Sequence, residues 1–368
     1  MQEIPFMNLT RQKELIVGEV RTAFEKVMDI TAFSGGPFVT SFEKNFATWT
    51  GASYCAAVSN GTTALHAAMI ALDIRPGDEI IIPANTFIAT VWGPMYVGAV
   101  PVFVDCDPDT WEIDVTKVEA AITPRTKAVL AVHLYGQPFD VDPLLQICKK
   151  HNIYLVEDAS QAHGALYKGR MVGTLGDMAT FSFYPGKNLG TYGEGGGITT
   201  SNKEWYDRIQ LVKNHASQEK YHHMELGYNY RMGGLEGAVL DIKLKYIDTW
   251  NGRRRDIADR YLSEVNNAHI KMQMQPDKAN SVFHLFVVTV VDRDHFRDYL
   301  QQKGIQTGLH YPVPCHLQPA CAHYGYKQGD FPNAEYLAAH CVSLPMFPEL
   351  TDNEVDRVVA ALKDYRPS

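Results

Sequence analysis

A mainly parallel α/β fold followed by a smaller α+β unit is predicted for this chain on three grounds. Short β-branched apolar runs alternate with amphipathic stretches from about residue 55 to about residue 200. Several of these runs are apolar at consecutive positions, as in strands buried on both faces. The length, 368 residues, suits one large domain plus a smaller one.

Strands are expected at Glu79–Pro83, Pro101–Asp105, Ala128–His133, Ile153–Glu157 and Thr180–Phe183. Amphipathic helices are expected between them, at Thr63–Leu72 and Asp142–His151. From Leu235 to Val265 the apolar period turns helical: Val239, Ile242, Tyr246 and Trp250, then Ile257, Tyr261 and Val265. The charged middle, Asn251-Gly252-Arg253-Arg254-Arg255, reads as a break or bend and marks the domain boundary. Residues 1–250 are then the large domain, whose N-terminal segment can pack on the small one, and residues 251–368 the small domain. The latter is expected to hold a strand at Phe283–Val291, helices at Phe296–Lys303 and Asn353–Lys363, and a proline-scattered stretch from Tyr311 to Pro348.

Composition narrows the function classes. Hydrophobic residues make up 45% and charged residues 21%, with a net charge of -8 and no basic tract, so nucleic acid is not an expected partner. The N-terminus has no apolar signal core, and no apolar run is long enough for a bilayer, so no membrane association is expected. Cys55, Cys106, Cys148, Cys315, Cys321 and Cys341 are scattered without a Cys-x-x-Cys pair, which points to a reduced, cytoplasmic protein. Cys315-His316 and Cys321-Ala322-His323 lack the spacing of paired zinc ligands, so no metal site is expected. A dinucleotide-binding Gly-x-Gly-x-x-Gly after a first strand is absent.

Four segments carry candidate chemistry. Val156-Glu157 runs an apolar strand into Asp158, and a carboxylate at the carboxyl end of a buried strand sits where α/β folds build sites. Capping the next helix is the alternative role. Thr180–Phe183 ends in a Pro185-Gly186 turn that delivers Lys187. A partly buried lysine in a cationic site becomes nucleophilic and forms imines, whereas an ordinary lysine after a turn is a surface residue. Gly61-Thr62-Thr63 opens a helix, which makes an anion cradle or an ordinary cap. Phe87, just past a strand, can stack on a planar ring or pack in the core. Together these supply a ring-nitrogen partner, an imine-forming amine, a phosphate cradle and a stacking face, the four parts of a pyridoxal 5'-phosphate (PLP) site.

The same segments resemble the DegT/DnrJ/EryC1/StrS family of PLP-dependent nucleotide-sugar aminotransferases. The likeness begins at Ile4-Pro5-Phe6 and passes through Gly61-Thr62, Ala84-Asn85-Thr86-Phe87 and His133-Leu134-Tyr135-Gly136-Gln137-Pro138. It continues through the Asp158 and Lys187 blocks to Gly227-Tyr228-Asn229-Tyr230-Arg231-Met232, His310-Tyr311-Pro312 and Ser343-Leu344-Pro345-Met346. The resemblance implies the PLP-dependent transferase fold type I, with a seven-stranded sheet in the large domain. It implies Lys187 as Schiff-base lysine and proton shuttle, Asp158 on the pyridine nitrogen, Gln161 on the ring hydroxyl and Phe87 on the ring face. Gly61, Thr62 and Ser182 would hold the phosphate. Asn229 would reach the cofactor of a neighbouring subunit, making a homodimer. Tyr184, His310 and Tyr311 would line the sugar or nucleotide pocket, with interdomain packing the alternative for Tyr311.

The implied reaction moves an amino group from L-glutamate to a nucleotide-linked keto-sugar. Phe183-Tyr184-Pro185-Gly186-Lys187-Asn188-Leu189-Gly190 resembles members that act at C-3 of a 3-keto-6-deoxyhexose. Glu194 and Gly197, which replace a more usual Asp and Ala, weigh toward a C-4 keto-sugar; a keto-cyclitol, which related members aminate, is a further alternative. Members acting as sugar dehydratases carry His in place of the lysine, and a regulatory, non-catalytic member would lack Asp158 or Lys187; both residues are present.

Overall fold

The computed structural model describes residues 3–367. Its main sheet has seven strands: β1 (Tyr54–Val58), β2 (Glu79–Pro83), β3 (Val100–Val104), β4 (Thr126–Val132), β5 (Tyr154–Asp158), β6 (Met178–Ser182) and β7 (Gly196–Thr200). Their spatial order is β1-β7-β6-β5-β4-β2-β3. All neighbours pair in parallel except β7, which is antiparallel to both β1 and β6.

Alternate residues of the central strands feed two cores. Ile80, Ile82, Leu130 and Val156 face one cluster, with Leu65 of α3 (Gly61–Ala71) and Val91 of the helix Ala89–Tyr96. Ile81, Val129 and Leu155 face the other, with Phe42 and Phe46 of the helix Pro37–Thr50 and Leu144 of the helix Val141–His151. Burial on both faces is why these strands read as continuous apolar runs. A third core gathers Ile257, Phe286, Val288, Leu344, Val355 and Leu362 around an antiparallel sheet of Lys271–Met272, Phe286–Thr289 and Cys341–Leu344. Ile4 joins this third core and exchanges backbone hydrogen bonds with Gly304 and Gln306. No helix among the described residues is long and apolar enough to cross a membrane.

Two local expectations are corrected. The segment through Gly196 and Gly197, where no strand is expected from the sequence, is strand β7. Its glycines answer to packing: a Cβ on Gly196 would lie 2.2 Å from the Asn60 carbonyl oxygen, and one on Gly197 2.9 Å from the Phe183 ring. The helical break also falls earlier than expected. One helix ends at Lys243, and the next, Ile247–Glu264, runs unbroken through Asn251–Arg255. Asn251 and Arg254 face inward: Arg254 is buried and donates to the carbonyls of Phe283 (3.2 Å) and Met346 (2.9 Å).

Candidate active site

Strands β2, β4, β5 and β6 release their chains at one edge of the sheet, and a cavity of about 830 Å3 opens there. Asp158 closes β5 and is buried. No helix follows it, so it caps none. Its Oδ2 accepts from Thr90 Oγ1 (2.8 Å) and its Oδ1 from the backbone N–H of Ser160 (3.1 Å). These two bonds orient a carboxylate that lines the cavity.

Lys187 sits on a tightly pinned loop. Phe183, at the end of β6, packs edge-on against Phe42 and Phe46 (ring centroids 5.2 and 5.3 Å). The chain then turns, with Lys187 N–H donating to Tyr184 O (2.9 Å) and Thr191 N–H to Phe183 O (2.8 Å). Gly190 must be glycine, because a Cβ would lie 2.4 Å from the Pro185 carbonyl oxygen. Lys243 Nζ, itself buried, donates to Gly190 O (2.6 Å). The amine of Lys187 lines the cavity with no hydrogen-bond or ion-pair partner among the described residues. Burial lowers its pKa to about 8 against the opposing pull of Asp158. Roughly a tenth of this amine is therefore unprotonated, and nucleophilic, at pH 7, several hundredfold more than for an ordinary lysine.

An anion cradle forms where α3 begins. Asn60 caps the helix, its Oδ1 accepting from Thr63 N–H (2.9 Å). The backbone N–H groups of Gly61 and Thr62 keep no acceptor among the described residues, and the Ser182 hydroxyl lies beside them. A Cβ on Gly61 would lie 2.7 Å from Ser182 Cβ, so the close approach requires glycine. Free N–H groups at a helix N-terminus suit a phosphate.

Gln161 links the cavity floor to its wall. Its Oε1 accepts from Tyr135 N–H (2.7 Å), and its Nε2 donates to Tyr311 Oη (3.0 Å), leaving one amide hydrogen free. Tyr135 Oη donates to the His310 carbonyl (2.5 Å). The half-exposed Phe87 ring, 49% exposed, leans on Tyr311 at 5.4 Å. His310 stacks on Phe6 (5.6 Å), and its Nδ1 shares a hydrogen bond with Ser343 Oγ (2.8 Å). Tyr184 stands at the rim, exposed.

Gly61, Thr62, Phe87, Asp158, Gln161, Ser182, Tyr184, Lys187, His310 and Tyr311 thus line one cavity, although they come from distant stretches of the chain. Asn229 does not join them: it is exposed and bridges Asn214. Thr90, which orients Asp158, and His284, which also lines the cavity, gave no site signal that the sequence reading used; Glu194, noted there as a departure from the C-3 pattern, lines the cavity too. His284 left a signal, the one titratable residue inside the largely apolar run Val282–Val291. The parts present fit PLP: N–H groups without acceptors for a phosphate, an oriented carboxylate, an aromatic face and an unpartnered amine.

The model of the DegT/DnrJ/EryC1/StrS aminotransferase family matches residues 15–363. The chain is 44% identical over 362 residues to a dTDP-3-amino-3,6-dideoxy-alpha-D-galactopyranose transaminase of Aneurinibacillus thermoaerophilus, covering 98% of this chain and 99% of the relative. It is 40% identical over 365 residues to a pleiotropic regulatory protein of Geobacillus stearothermophilus, with 98% of each chain covered. The structure of Streptomyces venezuelae DesV in complex with a ketimine intermediate superposes with a TM-score of 0.97 at 40% identity, over 99% of this chain and 98% of that one. The chain belongs to the DegT/DnrJ/EryC1/StrS family of PLP-dependent aminotransferases.

Proposed function

We propose that this enzyme moves the amino group of L-glutamate to a nucleotide-linked keto-deoxysugar, at C-3 of a dTDP-3-keto-6-deoxyhexose, for amino-sugar biosynthesis. The observation that carries the reading is an unpartnered Lys187 amine sharing one cavity with the Asp158 carboxylate and the Gly61–Thr62 cradle. The choice of C-3 is supported by likeness to the Aneurinibacillus 3-amino-sugar transaminase. Gly197, which weighed toward C-4 in the sequence, is accounted for by the Phe183 ring beside it rather than by a substrate. The Geobacillus regulatory relative raises a regulatory reading, which the intact Lys187 and Asp158 disfavour.

PLP, when bound, supplies a ring that withdraws electrons from an adjacent carbon. Gly61, Thr62 and Ser182 hold its phosphate, and Phe87 covers a ring face. Asp158 keeps a proton on the ring nitrogen, and the free amide hydrogen of Gln161 meets the ring hydroxyl. Lys187 Nζ would anchor the cofactor and, when free, would take a proton from the donor carbon and pass it to the cofactor, with the reverse transfer aminating the keto-sugar. The cavity walls, with Tyr184, His310 and Tyr311, orient the sugar nucleotide and exclude water. The active unit is a homodimer in which Asn229 reaches the partner's cofactor. A cytoplasmic location suits six buried, unpaired cysteines. A coupled assay with glutamate and a panel of keto-sugars tests the reading. Faster turnover of 3-keto than of 4-keto substrates is expected; equal or faster 4-keto turnover contradicts the C-3 assignment.

A further inference from the structure

His284 lines the cavity with a ring whose tautomer is dictated by its neighbours. The residue is 6% exposed, and that surface opens onto the cavity. Asn251 Nδ2 donates to the His163 carbonyl (2.8 Å), which leaves Asn251 Oδ1 an acceptor. Asn188 Nδ2 donates to that oxygen (2.9 Å) and to the Val282 carbonyl (3.0 Å), so both of its amide hydrogens are used. Asn188 Oδ1 is therefore an acceptor, and its neighbour at 3.2 Å is His284 Nδ1, which must carry the proton. Burial first, and then the charge of Lys187, holds the ring's proton affinity well below that of an ordinary histidine. The ring is neutral, its one proton is on Nδ1, and Nε2 presents a lone pair on the cavity side.

The backbone around the ring is equally fixed. Val282 N–H donates to Gly136 O (3.0 Å), Leu285 N–H donates to Tyr135 O (3.2 Å), and Arg254 holds the Phe283 carbonyl. An acceptor this firmly placed, and this weakly basic, receives a hydrogen bond without taking the proton. The keto carbon must approach Lys187, which lines the same cavity as His284. The donor within reach is a hydroxyl on a carbon next to the keto carbon.

We propose that His284 Nε2 is a specificity-determining acceptor for a sugar hydroxyl beside the keto carbon. The proposal rests on the keto-sugar reading above and adds the feature of the sugar that is recognised.

The test compares a dTDP-linked 3-keto-6-deoxyhexose with its 2-deoxy and 4-deoxy analogues in the wild-type holoenzyme, in His284→Asn and in His284→Gln. Asn mimics Nδ1 and keeps the bond to Asn188 but lacks Nε2; Gln reaches farther and can place an oxygen near the Nε2 position. Wild-type kcat/KM should fall about 10- to 100-fold for one deoxy analogue, because a buried acceptor then loses its donor. His284→Asn should remove that preference, and His284→Gln should restore part of it. Calorimetry with the amino-sugar products should show the same preference in the wild type, independently of turnover and of how the variants fold. A wild type indifferent to both deoxy analogues overturns the proposal, as does a His284→Asn enzyme that keeps the full preference. A wild type that accepts no keto-sugar at all overturns the functional reading as well, so the two failures are distinguishable.

Discussion

Lys187 and Lys243 have the same depressed pKa, about 8, for the same main reason, burial. Their surroundings differ. Lys243 is 1% exposed, donates to Gly190 O and lies 4.6 Å from the centroid of the Tyr192 ring. Lys187 lies half-buried at the edge of the cavity with its amine unpartnered. A lowered pKa alone therefore does not identify a reactive lysine. One amine clamps the loop, and the other is left available by it. The neighbouring carboxylates of β5 repeat the contrast. Glu157 is fully buried and satisfied by His133 Nε2 (2.9 Å) and the N–H groups of Gly173, Leu175 and Gly176. Asp158, one residue on and facing the other way, keeps two partners and lines the cavity.

Breaking these pairs should separate chemistry from support. Lys187→Ala should lower turnover by at least roughly 10⁴-fold in a steady-state amino-transfer assay. Lys243→Met should cost less than about tenfold, since it touches the loop and not the reacting atoms. Asp158→Asn should lower kcat on the order of 10²-fold with little change in thermal midpoint. Glu157→Gln should do the reverse, destabilising by about 3 kcal/mol in urea titration because buried partners lose a charge.

The pH dependence separates the lysines further. The unfolded chain holds the Lys243 proton up to about pH 10.5, while the fold releases it near pH 8. Between those values the unfolded state binds more protons, so stability rises with pH; the penalty is full below pH 8. Relative to wild type, Lys243→Met should flatten this rise by up to roughly 3 kcal/mol. For Lys187 the readout is capture of PLP by the apoenzyme. Its rate should climb with pH and level off above about 8, whereas an ordinary lysine would continue to about 10.5. The smallest effect is expected at Phe87. Phe87→Ala should weaken cofactor retention about threefold to tenfold in a dialysis assay, the scale of one aromatic contact.

Much of this site was legible because strand ends and turns are written locally. Asp158 follows an apolar run, Lys187 follows a Pro-Gly turn, and Gly61-Thr62 opens a helix; each pattern names a position before any contact is known. Contacts across the fold were not legible. Thr90 meets Asp158 68 residues away, and Asn188 meets Asn251 63 residues away. The arginine-rich stretch looked like a break because the partners of its buried Arg254 are distant carbonyls. Strand β7 was hidden because its glycines yield space to Asn60 and Phe183, and so erase the apolar signal of a strand.

The most direct test reduces the holoenzyme with borohydride and maps the modified peptide by mass spectrometry. The cofactor's mass is expected on the peptide carrying Lys187, and none on Lys243. Label on Lys243, or a Lys187→Ala protein that still completes many turnovers, would contradict the role given to Lys187.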